Sequence, residues 1–301
     1  TTTIILERNC TMNKLVCSNL TKSYGAKKVI DGVSLTLEPH RIYGLIGRNG
    51  AGKTTLLGLI SGQNYPDSGD VTLDGKPVKD NQELLDQICF SRELSQILLF
   101  GRDTRKVKQL LKTAELILPY WDNEYAKRLI GEFELDEGKR IANLSKGMLS
   151  AVTIIIALAS KSPITFLDEP VAGLDVFMRD KFYRLLLKEY TESERTFVVS
   201  THIIDEAANV LEDVIIIDSG KILLTENTDE LLSRHRIVSG RTDDIDEFIK
   251  GYKVTHSEIH GKSKTVCVEF DDYDKFKADV SRYDFDVSKA SLQKLFMNLL
   301  G

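Results

Sequence analysis

Long hydrophobic runs are missing from this chain. Its longest apolar stretch, Ala151 to Ala159, falls well short of the roughly 20 residues a helix needs to cross a bilayer, so no direct membrane span is expected. Cysteine is scarce and scattered: Cys10, Cys17, Cys89 and Cys267 show no C-x-x-C spacing. That argues against a disulfide framework or a thiolate metal site and fits reduced thiols in a cytosolic protein. A basic surplus is also missing. Lys plus Arg number 40 against 45 Asp plus Glu, a net charge of −5 with the signs interspersed, which argues against a nucleic-acid partner. Residues 1–11 offer no basic start, long apolar region or small-residue cleavage site, so they are not read as a secretion signal. They are taken instead as a vector or upstream extension ahead of Met12. No convincing internal repeat and no low-complexity linker interrupts the chain. At 301 residues it exceeds the usual single domain, so one large domain with an appendage, or two domains, is expected.

What is present is organised around G-R-N-G-A-G-K-T, the run Gly47, Arg48, Asn49, Gly50, Ala51, Gly52, Lys53 and Thr54. It fits the phosphate-loop pattern G-x-x-x-x-G-K-[ST] at every fixed position. The glycines let successive backbone N–H groups turn inward onto the α- and β-phosphates, Lys53 can reach the β- and γ-phosphates, and the Thr54 hydroxyl can ligate Mg²⁺. A helix starting after the loop adds its positive N-terminal end. The required setting is strand, loop, helix, and both flanks supply it: Arg41 to Ile46 is a buried-strand run and Thr54 to Ile60 an apolar helix start.

Around this loop the chain alternates strand and helix signals. Leu15 to Leu20 and Val29 to Leu37 carry strand-like alternation, and Gly69 to Gly75 and Gln87 to Ser91 are short strands. From Asp103 the period becomes helical, with Val107, Leu110, Leu111, Ala114, Ile117 and Leu118 on one face. A second helical run follows Asp122, a plausible N-cap. Ser145 to Ser160 is apolar on most sides and predicts a buried helix. Ile164 to Leu167 and Thr196 to Ser200 are continuous apolar strands of the parallel-sheet kind, joined by a crossover helix over Val176 to Tyr190. Val214 to Ile217 and Ile222 to Leu224 flank a Ser219-Gly220 turn and predict a hairpin. From Arg236 onward, strand candidates near Ile237, Lys253, Val266 and Phe285 interleave with helical runs at Asp243 to Lys250, Asp274 to Arg282 and Ser291 to Leu300. This last part contains no cluster with catalytic spacing and is assigned an interaction or docking role.

The strand Ile164 to Leu167 ends in two adjacent carboxylates, Asp168 and Glu169. Beside a phosphate loop, Asp168 is placed to bind Mg²⁺ and Glu169 to polarise an attacking water. Phosphoanhydride hydrolysis asks for little more: an in-line water and charge neutralisation. Leu144-Ser-Lys-Gly-Met148 precedes the buried helix, Ala172-Gly-Leu-Asp175 follows the carboxylates, and His202 follows the Thr196 to Ser200 strand. In these motifs and in their order, the chain resembles the ATP-binding subunits of ABC transporters over roughly residues 12–233.

The resemblance implies an α/β fold of the P-loop NTPase type, with an antiparallel β subdomain and a helical subdomain over about residues 94–160. A small C-terminal α+β accessory domain would cover 234–301. It implies that Tyr24 stacks on adenine and that Gly47 to Thr55, Thr55 included, bind the phosphates of ATP and Mg²⁺. Asp168 would support the Mg²⁺, Glu169 would be the general base, and His202 would contact the γ-phosphate. Ser145, with Lys146 and Gly147, would face the γ-phosphate held by a second copy, and Asp175 would tie the two sites together across the interface. ATP would then be the glue of a head-to-tail homodimer.

Two departures from the family pattern stand out. Lys146 and Met148 replace the first glycine and the glutamine of the usual Leu-Ser-Gly-Gly-Gln, while Ser145 and Gly147 are retained. Where the family offers a mid-chain glutamine to Mg²⁺ and to water, the aligned residue is Glu93. The expected partner is a separate transmembrane permease subunit met by the helical region, where Tyr120, Trp121 and Tyr125 form either a partner surface or core. Peripheral attachment to the inner face of the cell membrane would follow. Within the family the chain resembles exporter ATPases of the kind that move drugs or amphipathic peptides such as phenol-soluble modulins. Rival readings are a soluble ATPase working on ribosomes or DNA, which would usually carry two nucleotide domains or a coiled-coil insertion, and a regulatory module with little hydrolysis. Neither insertion nor duplication is present, and Glu169 and His202 argue against the second.

Overall fold

The computed structural model describes residues 13–92 and 105–300. The expected extension over residues 1–11 and the candidate Glu93 lie outside the described residues. Strands β1 (Leu15–Tyr24) and β2 (Lys27–Leu37) form a hairpin, and β3 (Ile42–Ile46) follows, buried at all five positions. Helix α1 (Lys53–Ile60) leaves the phosphate loop directly and buries Leu56, Leu57, Leu59 and Ile60. Next come β4 (Ser68–Leu73), β5 (Lys76–Pro77), the one-turn α2 (Gln82–Leu85) and β6 (Ile88–Arg92). Helices α3 (Val107–Ile117), α4 (Asn123–Glu132) and α5 (Lys146–Ala159) precede β7 (Ile164–Asp168). Helix α6 (Val176–Glu192) crosses to β8 (Thr196–Thr201), and α7 (Ile204–Ala207) leads to the hairpin of β9 (Asp213–Asp218) and β10 (Lys221–Asn227).

β6, β7, β8, β3 and β9 run parallel, with β10 antiparallel at the edge, in the order β10-β9-β3-β8-β7-β6. Strands covered on both faces read as continuous apolar runs, and alternate residues go to different cores. Tyr43, Leu45, Phe166, Val198, Ile215 and Ile217 point to α1 and the antiparallel sheet β2-β1-β4-β5. Ile42, Leu167, Phe197, Val199 and Val214 point to the opposite core, which holds α5 and α6. The loop after β3 therefore emerges at the C-terminal edge of the parallel strands, where open α/β sheets place ligands.

Helix α8 (Thr228–Ser233), capped by the Asn227 side chain, joins this body to a third sheet. Its elements are β11 (His235–Arg241), α9 (Thr242–Phe248), β12 (Lys253–His260), β13 (Ser263–Glu269), α10 (Tyr273–Val280) and β14 (Asp286–Lys289), with α11 (Leu292–Leu300) behind them. The order β12-β13-β11-β14 with all pairs antiparallel is a split βαβ arrangement. One face, Val238, Val266 and Val268, packs on Ile245 and Phe248 of α9 and on Phe276 of α10.

One expectation is corrected, and of the two readings of the aromatic group near Trp121 the core one holds for Trp121. Ile117 is 69% exposed rather than on the buried face of α3, because the helix ends there, ahead of Pro119. The aromatic group near Trp121 is no continuous surface: Tyr125 is buried and Trp121 packs against the large core, leaving Tyr120 outside. Asp122 caps α4 as expected, its carboxylate accepting from the Tyr125 N–H at 2.8 Å.

Candidate nucleotide site

The loop between β3 and α1 is shaped by backbone space. A Cβ at Gly47 would lie 2.4 Å from the Ile217 carbonyl oxygen, and Gly52, at φ +109, would bring one within 2.9 Å of the Val29 oxygen. Neither neighbour can yield, so both positions require glycine. Lys53 is buried. Its ammonium donates to the Gly47 carbonyl at 2.7 Å and lies 3.4 Å from a Glu169 carboxylate oxygen. The Thr54 hydroxyl donates to Asp168 at 2.6 Å. A cleft of about 370 Å³ opens over Arg48, Asn49, Gly50, Gly52, Lys53, Thr54 and Thr55, walled by Lys27, Val29 and Glu169. Tyr24 is 52% exposed and paired in register with Lys27, a wall of the cleft, with the Lys22 ammonium 5.7 Å from its ring centroid.

Parallel pairing of β7 with β8 sets Asp168 opposite Ser200. The Ser200 hydroxyl donates to Asp168 and accepts from the Glu169 N–H at 3.0 Å. Glu169 has φ +49 although it precedes Pro170, a backbone state that costs roughly 1–3 kcal/mol for such a residue. The hydrogen bonds to Ser200 hold it there and aim its carboxylate at the Lys53 ammonium and at the His202 ring, whose Nδ1 is 2.7 Å from the second oxygen. Ser200 is absent from the residues that motif spacing picks out. Its only sequence signal is a hydroxyl at the end of a strand parallel to the carboxylate strand.

Ser145 and Asp175 lie elsewhere. Ser145 is exposed and caps α5, accepting from the Met148 N–H at 3.2 Å, and Asp175 caps α6 in the same way through Met178 at 3.0 Å. The loops that bear them touch. A Cβ at Gly147 would lie 2.8 Å from the Gly173 oxygen, and Gly173 in turn holds the aliphatic stem of Lys146 close. With Phe133, Leu135 and Met178 they line a second cavity of about 230 Å³, separate from the first. At its far end α5 is anchored by Arg195, a buried guanidinium that donates to the Leu158 and Ala157 carbonyls and pairs with Glu189 at 2.8 Å. Burial pulls the pKa of that guanidinium below its ordinary value, against the opposing pull of Glu189. The chain thus assembles Lys53, Thr54, Asp168, Glu169 and His202 in one place and keeps Ser145, Gly147 and Asp175 apart from them.

Comparison with known proteins fits this geometry. The ABC transporter family profile matches residues 30–172. The tungstate uptake ATP-binding protein TupC of Peptoclostridium acidaminophilum is 32% identical over 219 residues, covering 69% of this chain and 96% of that protein. The chain belongs to the ABC transporter ATP-binding proteins. It is an ATP-binding subunit of a transporter and an ATPase. The Nod factor export ATP-binding protein I of Rhizobium sp. (strain N33) is 28% identical over 80% of this chain and 82% of its own length. The dimeric bacterial ABC transporter cassette MJ0796 superposes with a TM-score of 0.61 at 25% identity, over 71% of this chain and 98% of that one. No described helix is long and apolar enough to cross a membrane.

Proposed function

We propose that ATP is hydrolysed between two copies of this chain and that the resulting opening and closing drives a separate membrane-embedded subunit. The observation that carries this is the cluster in which Glu169 faces Lys53 and His202 while Asp168 faces Thr54. In this reading Lys53 and the N–H groups of Gly47 to Thr55 hold the phosphates, and Tyr24 covers the adenine. Glu169 takes a proton from the attacking water, and His202 orients Glu169 and meets the γ-phosphate. A hydroxyl beside a carboxylate is a hard oxygen donor pair that suits Mg²⁺, which keeps waters and substrate phosphates as its other ligands. Thr54 and Asp168 would hold that ion, and it would supply charge neutralisation on the β- and γ-oxygens.

Ser145, Lys146 and Gly147 complete the site of the second copy, with Asp175 across the interface. Solution of the cassette MJ0796 as a dimer supports this arrangement. For direction we favour export: the Nod factor export relative aligns with 80% of this chain, against 69% for the tungstate uptake relative. The test of the catalytic assignment is Glu169→Gln. Turnover should fall by about 10²- to 10⁴-fold while ATP affinity stays near that of the unmodified protein, and near-normal turnover would remove Glu169 from the general-base role.

A further inference from the structure

One helix of the C-terminal unit packs on the nucleotide side of the molecule. α11 carries Leu292, Leu295 and Phe296 at i, i+3 and i+4, one stripe of a helix surface. Leu292 and Leu295 are 1% and 3% exposed and share an apolar cluster with Ile237 and Cys267 of the third sheet. The same cluster holds Ile204 and Ala207, and α11 packs directly on α7. That helix has four residues and begins two positions after His202. A single turn has no stability of its own, so its position is set by its neighbours. On one flank the Arg179 guanidinium reaches Glu206 at 2.8 Å, tying α7 to the first turn of α6 beside Asp175. Another flank is α11.

We propose that Leu292 and Leu295 are positioning residues for His202: by packing on α7 they hold the imidazole against Glu169, so the C-terminal unit sets the rate of ATP hydrolysis without touching the nucleotide. The inference rests on the reading of His202 as a site residue. A change that loosens α11 then lowers kcat, because His202 leaves its carboxylate, and leaves the KM for ATP nearly unchanged, because the phosphate loop belongs to a different packing cluster. Its effect also disappears once His202 is gone, since both changes act through one group.

The experiment is a double-mutant cycle in the full chain, with Leu295→Ala, His202→Ala and the pair together, each checked by thermal melting for a folded state. Leu295→Ala should lower kcat by about 2- to 30-fold, the range seen for residues that modulate a site without contacting the ligand, with KM unchanged within about twofold. Leu295→Met, similar in volume, should restore most of the rate, and Leu295→Ala should do nothing further on top of His202→Ala. Where Leu295→Ala does not fold, Leu295→Val is read by the same criteria. A folded variant with unaltered kcat, or the same loss in the presence and absence of His202, would overturn the inference. Unaltered turnover in His202→Ala alone would instead overturn the reading of that histidine.

Discussion

The loop around Lys53 and the loop around Ser145 are opposite cases in one molecule. Lys53 is 6% exposed, its ammonium held by the Gly47 carbonyl and facing Glu169, and Gly47 and Gly52 leave no space for a Cβ. Ser145 and Lys146 are exposed, and the Ser145 hydroxyl accepts from its own helix. The first loop is completed by this chain. The second is held from behind, through Gly173 and the Arg195 anchor at the other end of α5, and lies at the surface. A loop that is braced from behind and open to solvent suits a ligand brought by something else, which in the proposed reading is the nucleotide of a second copy.

The largest expected effect falls on the completed loop. Lys53→Ala removes the one cation that the loop carbonyls and Glu169 share, and kcat/KM for ATP should drop by about 10²- to 10³-fold, with weakened ATP binding measured by calorimetry. Retained tight binding would mean that the loop is not the phosphate site. Gly147→Ala sharpens the contrast from the other side. The added methyl meets the Gly173 oxygen, so steady-state ATP turnover should fall about tenfold, the order of loss expected when a catalytic group is misplaced by a fraction of an ångström. Binding of ATP to the single copy should stay intact, and loss of that binding would show that the two loops are not separate half-sites. The smallest effect concerns Cys17, which shares a core with Ala51 of the phosphate loop and whose thiol burial pushes up to about 12. Iodoacetamide at pH 8 should leave it unmodified in the folded protein and label it in urea, as peptide mass spectrometry can read. Ready labelling without denaturant would mean that the support beneath the loop opens.

These two halves also differ in how far they can be read from the sequence. Gly47 to Thr54 and the pair Asp168-Glu169 are legible because local chemistry alone demands them: close backbone approach, a flexible cation, carboxylates at a strand end. Most strands and helices are legible too, since apolar period follows burial, and the helix caps Asp122, Ser145 and Asp175 lie where a short polar side chain precedes an apolar run. Ser200 is not legible, because its value comes from register: β7 and β8 are paired so that it faces Asp168. The contact of Gly147 with Gly173 and the packing of α11 on α7 are hidden for the same reason, each joining segments far apart in the chain. For the C-terminal unit the strands and helices can be anticipated, but the order β12-β13-β11-β14 cannot. Pairing depends on which faces are buried, and the alternation in short strands such as Asp286–Lys289 is too brief to say.

The most direct measurement of the shared-nucleotide account is the mass of Glu169→Gln in solution by analytical ultracentrifugation, with and without MgATP, alone and combined with Ser145→Glu. The account predicts a dimer only when ATP is present, and a monomer that still binds ATP once the added carboxylate faces the phosphates of the other copy. A mass indifferent to ATP, or a dimer that forms equally well with Ser145→Glu, would contradict it.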